Sequence, residues 1–256
     1  MTTTPLGTDT DMFVEALRAQ SQRYHSAHPF HVRMNEGELS PQQIRGWVAN
    51  RYHYQESIPR KDAAILANCP DVTVRRRWLR RIVDHDGTAP DTERSGAGPS
   101  KDTERSGAGP PSGGSEGGIE AWLRLGEACG LTREEIADHR HLAPGVRFAV
   151  DAYVTFARTR PWVEAVASSL TELFAPDLMG ERLAAFEKYY TWIDPEGLAY
   201  FRNRLFQAPR DSEHALEVVT EHCRTPEQQA SAVQALSFKN DVLWSMMDAI
   251  ERAYPS

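Results

Sequence analysis

Apolar residues recur at intervals of three and four along most of this chain, which is the periodicity of amphipathic helices. Ser40 and Pro41 form a helix start, with the serine as N-cap and the proline in the first turn. The apolar pattern then runs towards Asn68. Pro59 falls inside this segment, where it removes a backbone hydrogen bond and predicts a kink. The sequence therefore predicts one long, bent helix in the first third of the chain.

The same signals place helices along most of the remaining sequence. Asp71 caps a helix that ends near Gly87, and another runs from Gly118 to Cys129 and stops at Gly130. Further helices are predicted at roughly 145–159, 161–174, 177–190, 195–207, 211–223 and 226–253. Alternating runs bounded by tight-turn residues, which are typical of strands, are hard to find. We therefore predict an all-α fold, a compact single-domain helical bundle over residues 1–256 with about seven main helices plus short ones.

One stretch interrupts the helical pattern. Residues 88–117 are rich in Gly, Pro, Ser and Thr, and the nonapeptide DTERSGAGP occurs twice, starting at Asp91 and again at Asp102. Such a segment buries too little apolar area to offset its chain entropy. We predict a disordered insertion loop, containing a tandem duplication, within a single domain.

Charge and cysteine content narrow the class of protein. The chain has 256 residues and a formal net charge of -7, which gives no support to a nucleic-acid or anionic-membrane partner. Its three cysteines (Cys69, Cys129 and Cys223) lie far apart and are odd in number, so a disulfide framework or a zinc knuckle is not expected. No secretory signal and no apolar stretch of membrane-spanning length is visible. We therefore predict a cytoplasmic protein with reduced thiols.

Several cationic and hydrogen-bonding residues lie on the predicted apolar stripes, where a charge is costly unless it is paired or neutralised. Glu172 is the only evident anionic residue among them. One buried charge usually belongs to a structural ion pair, whereas converging cations indicate a pocket for a polyanionic ligand, with Arg side chains binding carboxylates. The candidates are Tyr24, His25, Arg51, Tyr54, Gln55, Lys61, Arg81, His85, Tyr200, Arg204 and Lys239.

A metal site is the main competing interpretation of these polar residues. The Asp84-His85-Asp86 sequence resembles the His-Asp doublet of helical metal-dependent phosphohydrolases, and His53 and Asp151 are conceivable further ligands. The Glu-x-x-His pairs of di-iron bundles are absent from the sequence. Because the doublet alone is a weak motif, we predict that the site uses no metal.

Longer stretches of the sequence carry a specific resemblance. In chain order they are QIRGWVANRYHYQESIPRKDAAILANCPD, RIVDHDG, GGIEAWLRLGEACG, PGVRFAVDAY, SSLTELFAP and LSFKNDVLWSMMDA. Together they resemble the pyrroloquinoline-quinone synthase family, from about Met12 to Tyr254. The resemblance implies the helical fold of haem oxygenases and thiaminase II, a homodimer, and no metal or organic cofactor. It implies O2-dependent ring closure and eight-electron oxidation of a tricarboxylate hexahydroquinoline precursor, which yields the quinone and hydrogen peroxide.

The resemblance also implies roles for individual residues. His85 would be the main acid/base, while Tyr200 and Arg204 would stabilise reduced oxygen species. The implied catalytic residues are His85, Tyr200, Arg204, Lys239, His25 and Arg51. The implied substrate-binding residues are Tyr24, His25, Arg51, Tyr54, Gln55, Lys61, Arg81, Tyr153, Glu172, Arg182 and Lys239.

Met179 departs from the family pattern, because a His is expected at this position, one helical turn before Arg182. Methionine can neither transfer a proton nor donate a hydrogen bond. Either that His is dispensable, or a neighbour such as His25 takes over its function, or the later oxidation steps are altered. We expect ring closure to survive and any impairment to fall on late oxidation. The alternative to a synthase is a non-catalytic carrier that binds the precursor or the quinone in the same pocket.

Overall fold

The computed structural model describes residues 9–88 and 115–255 of the chain. Residues 89–114, which contain both copies of the repeat, lie outside the described residues, so the predicted disordered loop stays a prediction. The α-helices of the described part are α1 (Asp9–Ala19), α2 (Pro29–Glu36), α3 (Pro41–Asn68), α4 (Val72–Asp86), α5 (Gly117–Ala128), α6 (Arg133–Ala137), α7 (Pro144–Thr159), α8 (Trp162–Ala167), α9 (Ala175–Tyr189), α10 (Ala199–His222) and α11 (Pro226–Ala253).

The described residues contain no strand, and the remaining regular elements are short 3-10 helices. Seven of the α-helices have 12 residues or more, which confirms the predicted all-α bundle with about seven main helices. None of these helices combines the length and apolar character that a membrane span requires. The 3-10 helices are Gln20–Arg23, His25–Ala27, Ser168–Leu173 and Pro195–Leu198.

The predicted helix starts are confirmed by side-chain hydrogen bonds. The Ser40 hydroxyl accepts from the backbone N–H of Gln43, and the Gln43 side chain accepts from the backbone N–H of Ser40, so that α3 begins in a capping box. The carboxylate of Asp71 accepts from the first backbone N–H groups of α4. Helix α3 continues through Pro59 for 28 residues. Its length allows it to reach both ends of the bundle.

Two of the predicted helix boundaries are wrong. The helix predicted over 161–174 is α8 followed by a 3-10 helix, where the Ser168 hydroxyl donates to the Ala165 carbonyl and competes with the helical backbone ladder. The helices predicted over 195–207 and 211–223 are the single helix α10, preceded by a 3-10 helix. Helix α10 continues through Pro209 because Ala208 and Ala215 extend one buried face across it. The sequence pattern also fails to predict α1 and α2.

Two groups of buried apolar side chains form the core, and α3 runs through both. Trp47 on α3 packs with Trp122 and Phe201 in the first group. Ile65, near the other end of α3, belongs to the second group with Trp78. Full burial of each such side chain stabilises the fold by about 1.5–3 kcal/mol. The middle turns of α3 lie between the two groups, and these turns carry the buried polar residues of the candidate site.

Candidate active site

All of the predicted site residues are buried or half-buried. Eight separate segments of the chain supply them. They come from the N-terminal segment (Tyr24 and His25), α3 (Arg51, Tyr54, Gln55 and Lys61), α4 (Arg81 and His85), α7 (Tyr153), the 3-10 helix before α9 (Glu172), α9 (Arg182), α10 (Tyr200 and Arg204) and α11 (Lys239).

One part of the site is an ion-pair network centred on Asp62, a residue that the sequence analysis does not single out. Its Oδ1 lies 2.5 Å from Lys61 Nζ and 3.6 Å from Arg81 Nε, and it accepts a hydrogen bond from Trp78 Nε1 at 2.9 Å. Asp62 is fully buried. Burial alone would raise the pKa of this carboxyl, but Lys61 and Arg81 outweigh it and hold the pKa below its ordinary value.

Glu172 forms the other junction of the network. One carboxylate oxygen lies 2.5 Å from Arg81 Nη2 and the other lies 3.2 Å from Arg204 Nη2. Arg204 also lies 3.5 Å from Asp211, which is buried. The expectation that Glu172 is the only anionic member is therefore wrong. Lys61, Arg81 and Arg204 are neutralised by carboxylates of the protein itself.

Lys239 occupies a different environment. Its Nζ donates to the hydroxyl of Tyr54 at 2.8 Å and lies 3.4 Å from the centre of the Tyr153 ring. It is fully buried. Burial, followed by the positive charges of Lys61 and Arg51, lowers the pKa of Lys239 well below its usual value. A nearby anion would reverse this effect.

The site therefore holds two kinds of basic residue: those paired with protein carboxylates and those, such as Lys239, that are not. Arg51 and Arg182 are the other two residues of the unpaired kind. In the described part of the chain, no carboxylate oxygen lies within the 4.0 Å ion-pair limit of Arg51, Arg182 or Lys239. Arg51 Nη1 and two nitrogens of Arg182 are buried without a hydrogen-bond partner among the described residues. Burial and the charge of Arg51 lower the pKa of Arg182 to about 9. Arg51 and Arg182 therefore leave positive charge that the described protein groups do not compensate, and Lys239 is a third basic group without a carboxylate partner among the described residues.

His85 is held as a neutral base. Its Nδ1 lies 2.9 Å from the backbone carbonyl of Arg81, and because a carbonyl can only accept, Nδ1 carries the proton and Nε2 presents a lone pair. Burial and the charge of Arg204 lower the pKa of His85 to about 4. At neutral pH this imidazole can therefore accept a proton before it donates one.

The lowered pKa of His85 predicts a pH-dependent contribution to stability. The unfolded chain binds a proton here near pH 6.5 and the folded chain only near pH 4, so stability is lost as the pH falls through this range. Chemical denaturation measures this for the wild type and for His85→Gln between pH 8 and pH 4.5. As the pH falls over this range, the free energy of unfolding of the wild type should decrease by about 2 kcal/mol more than that of the variant. The two curves should run parallel above pH 7. Parallel curves at every pH would contradict the prediction.

Two histidines from the N-terminal segment border the Arg182 side of the site. His31 Nδ1 lies 2.9 Å from the backbone carbonyl of His25. The pKa of each is lowered well below its ordinary value, first by burial and then by the charge of Arg182. Met179 is also buried and lies one turn before Arg182 on α9. A neutral His25 therefore provides a proton acceptor on the same side of the site as Met179.

A surface cleft borders the Tyr200 side of the site. Gly117 and Gly118 at the start of α5, together with Asp84 and Tyr200, line it. A Cβ at position 118 would lie 3.2 Å from Gln55 Nε2 and 3.6 Å from the Tyr200 ring. The glycine therefore lets the start of α5 approach the Gln55–Tyr200 side of the site closely.

The residues named for the phosphohydrolase alternative do not assemble. Asp84 pairs with Arg210, and His85 is directed to the Arg81 carbonyl. His53 Nε2 does lie 3.7 Å from Asp151 Oδ1, but neither residue meets His85 in any group of potential ligands within the described ranges. Asp84 therefore forms an ion pair, and His85 belongs to the polar pocket.

The chain matches the TENA/THI-4/PQQC family over residues 14–249. The pyrroloquinoline-quinone synthase of Cronobacter sakazakii is 52% identical over 244 residues, which cover 95% of this chain and 88% of that protein. The pyrroloquinoline-quinone synthase of Pseudomonas aeruginosa is 53% identical over 246 residues, covering 96% of this chain and 89% of the relative. The predicted family resemblance is thereby confirmed.

Solved structures show the same fold at low sequence identity. A TenA homologue from Pseudomonas syringae superimposes with a TM-score of 0.65 at 14% identity, covering 94% of this chain and 92% of the other. A domain of unknown function with a haem-oxygenase-like fold from Shewanella denitrificans gives a TM-score of 0.72 at 13% identity, with coverages of 96% and 94%. The chain belongs to the TENA/THI-4/PQQC family, and its sequence groups it with the proteins named pyrroloquinoline-quinone synthase.

Proposed function

We propose that this chain catalyses the last step of pyrroloquinoline quinone formation. The reaction is the cofactor-independent ring closure and eight-electron oxidation of a tricarboxylate hexahydroquinoline precursor, with O2 as oxidant and hydrogen peroxide as a product. The observation that carries the proposal is the uncompensated positive charge of Arg51 and Arg182 inside the bundle, beside a buried Lys239 that has no carboxylate partner among the described residues. Two buried cations and a lysine that gains its charge when an anion approaches suit a ligand that brings three carboxylates.

In this proposal the two kinds of cation have different tasks. Arg51 and Arg182 form charge-assisted hydrogen bonds to substrate carboxylates, and Lys239 regains its proton when an anion approaches. Lys61 keeps Asp62 as its internal partner, and Arg81 orients Glu172 towards the ligand. Tyr24, Tyr54, Gln55 and Tyr153 contribute hydrogen bonds and ring contacts.

His85 removes protons from the closing ring, because its Nε2 lone pair is available at neutral pH. Tyr200 and Arg204 stabilise reduced oxygen species by hydrogen bonding and by charge. His25 is the further acid/base on the side where the family pattern expects a His and this chain has Met179. The precursor supplies its own electron-rich ring, so the protein binds it, orients it and moves protons.

The proposal includes the organisation that the family resemblance implies. The chain acts as a homodimer in the cytoplasm and forms a single helical domain, with an insertion loop between α4 and α5. Its partners are the precursor and O2, with no nucleic acid and no membrane.

An aerobic single turnover with the ring-open precursor tests the reaction. Enzyme in excess should convert the precursor to a species with the absorbance of the quinone, with O2 consumed and hydrogen peroxide released. His85→Gln should retain precursor binding and lose at least about 100-fold in rate, which is the usual contribution of an acid/base group. Binding without O2 uptake would instead identify the non-catalytic carrier.

Met179→His tests whether the departure from the family pattern impairs late oxidation. If the missing His is dispensable or if His25 covers its function, the wild type and the variant should reach the quinone at rates within a few-fold of each other. Accumulation of a partly oxidised intermediate in the wild type, removed by Met179→His, would show that late oxidation is impaired.

A further inference from the structure

Three metal-binding side chains meet on another face of α3, outside the proposed pocket. His53 and Glu56 lie one turn apart on α3, and His139 reaches them from the turn after α6. Glu56 Oε1 lies 3.1 Å from His53 Nδ1 and 3.0 Å from His139 Nε2, and all three ligand atoms lie within 4.8 Å of one another. Because two residues rotate a helix by about 200°, His53 lies opposite Gln55 and faces away from the pocket.

The contact between His139 and Glu56 differs from an ordinary hydrogen bond. The two atoms are 3.0 Å apart, but no hydrogen bond of good geometry joins them, and His139 Nε2 is buried. Two ligands of one tetrahedral zinc ion, bound at 2.0–2.1 Å, lie about 3.3 Å apart without bonding to each other. The observed separations are 3.0 and 3.1 Å, and the contact of Glu56 with His53 Nδ1 is a hydrogen bond. A shift of a few tenths of an ångström would therefore bring Glu56 to the spacing from both histidines that a zinc ion requires.

Asp151 adds an outer partner to the site. If His53 binds through Nδ1, its Nε2 must carry the proton, and this buried atom has no hydrogen-bond partner within the described chain. Asp151 Oδ1, on α7, lies 3.7 Å from it. Histidine ligands usually donate their second ring N–H to such a carboxylate, which orients the ring and raises its basicity. His53 is 7% exposed, so its orientation is already restricted.

The backbone also fixes the third ligand. His139 has a φ of 59°, in the left-handed region that non-glycine residues adopt infrequently. Its ring packs at 5.2 Å from the ring of His53 and at 5.7 Å from Tyr52. The imidazole is therefore directed at α3 before any ion binds.

We propose that His53, Glu56 and His139 form a site for a divalent metal ion of the zinc type, with water as the fourth ligand and Asp151 orienting His53. Two imidazoles and one carboxylate suit Zn²⁺ better than the all-oxygen sites of Ca²⁺ or Mg²⁺. The ion connects α3 with the α6–α7 turn, on the opposite side of α3 from Gln55. This inference is independent of the proposed reaction.

A calorimetric zinc titration tests the site. It uses the complete chain without a histidine tag, after treatment with a chelator. The wild type should bind one Zn²⁺ per chain and its Tm should rise with zinc concentration. His139→Ala and Glu56→Gln should each weaken binding at least ten-fold, and Asp151→Asn should weaken it by about 10–100-fold, as outer-partner losses do. Co²⁺ in place of zinc should show the visible absorption of a four-coordinate site.

His141→Ala is the matched control, because it makes the same substitution two residues after His139, at a side chain that contacts Glu135 instead. Its zinc affinity should equal that of the wild type. The proposal is overturned if the wild type binds no stoichiometric zinc at micromolar concentration, or if His139→Ala binds as tightly as His141→Ala. Because His139 lies in a partly exposed turn, we expect His139→Ala to fold normally. The comparison of His139→Ala with His141→Ala therefore remains valid even if Glu56→Gln folds poorly.

Discussion

Replacing Asp62 with asparagine is expected to lower the free energy of unfolding by about 3–5 kcal/mol, because it removes the anionic partner of a buried ion pair. Asp62 is fully buried and lies 2.5 Å from Lys61 Nζ. Arg81 Nε lies 3.6 Å from the Asp62 carboxylate, so the substitution also removes part of the negative charge that compensates Arg81. Asparagine can still accept the hydrogen bond from Trp78, so the loss reports the charge. Chemical denaturation at pH 7 measures it.

The same substitution at a surface pair provides the control. Asp241 pairs with Arg23 at 2.7 Å, but its side chain is 60% exposed, so Asp241→Asn should change stability by at most about 1 kcal/mol. Removing both partners with Lys61→Met and Asp62→Asn should recover part of the loss, because no uncompensated ammonium then remains. Equal effects of Asp62→Asn and Asp241→Asn would show that the buried network contributes little.

The sequence predicts most of the fold because the start signals of the helices are local. Ser40 and Asp71 cap α3 and α4 through their own side chains, and these contacts depend on few distant residues. The boundary predicted near Pro209 is wrong because proline removes only one backbone donor, and tertiary burial on either side of it keeps α10 continuous. Local propensity therefore identifies helix starts better than interruptions within a packed helix.

The wrong boundary at Pro209 also explains a missed site residue. When the segments before and after Pro209 are treated as two helices, Arg204 and Asp211 have no predicted relation. On one continuous helix they are seven residues apart, which places them on the same face, and they lie 3.5 Å from each other. Asp62 had a local signal, since it lies between Ile58 and Ile65 on a buried stripe of α3. A charge in that position already predicts a buried partner.

The cations of the site illustrate what sequence alone does not decide. Spacing and family resemblance predict Lys61, Arg81, Arg51 and Arg182 equally as ligands of substrate carboxylates. In three dimensions, Lys61 and Arg81 face protein carboxylates, while Arg51 and Arg182 retain unsatisfied nitrogens. Which cation is compensated depends on residues far apart in the chain, such as Glu172 for Arg81. The uncompensated cations raise the free energy of the empty protein.

Arg182→Met is therefore expected to stabilise the empty protein and to weaken precursor binding. Arg182 is 1% exposed, and its lowered pKa, about 9, reflects burial and repulsion by Arg51. Replacing such a charge by an apolar side chain of similar length should raise the free energy of unfolding by about 1–4 kcal/mol. Loss of a buried charge partner should weaken precursor affinity by about 30–5000-fold, from about 2–5 kcal/mol. Denaturation without ligand and equilibrium binding under anaerobic conditions measure the two effects.

Arg45→Met is the matched control, because Arg45 also lies over an indole ring, 5.4 Å from Trp192 compared with 5.0 Å between Arg182 and Trp47. Arg45 donates to the Cys129 carbonyl and is absent from the pocket, so its removal should leave precursor affinity unchanged and should not stabilise the protein. If Arg182→Met raises the free energy of unfolding and weakens precursor binding, and Arg45→Met does neither, the charge of Arg182 is one that the empty protein leaves uncompensated and the ligand compensates. A loss of stability in Arg182→Met would instead show that the guanidinium is already compensated in the empty protein, and the argument from uncompensated charge would then fail.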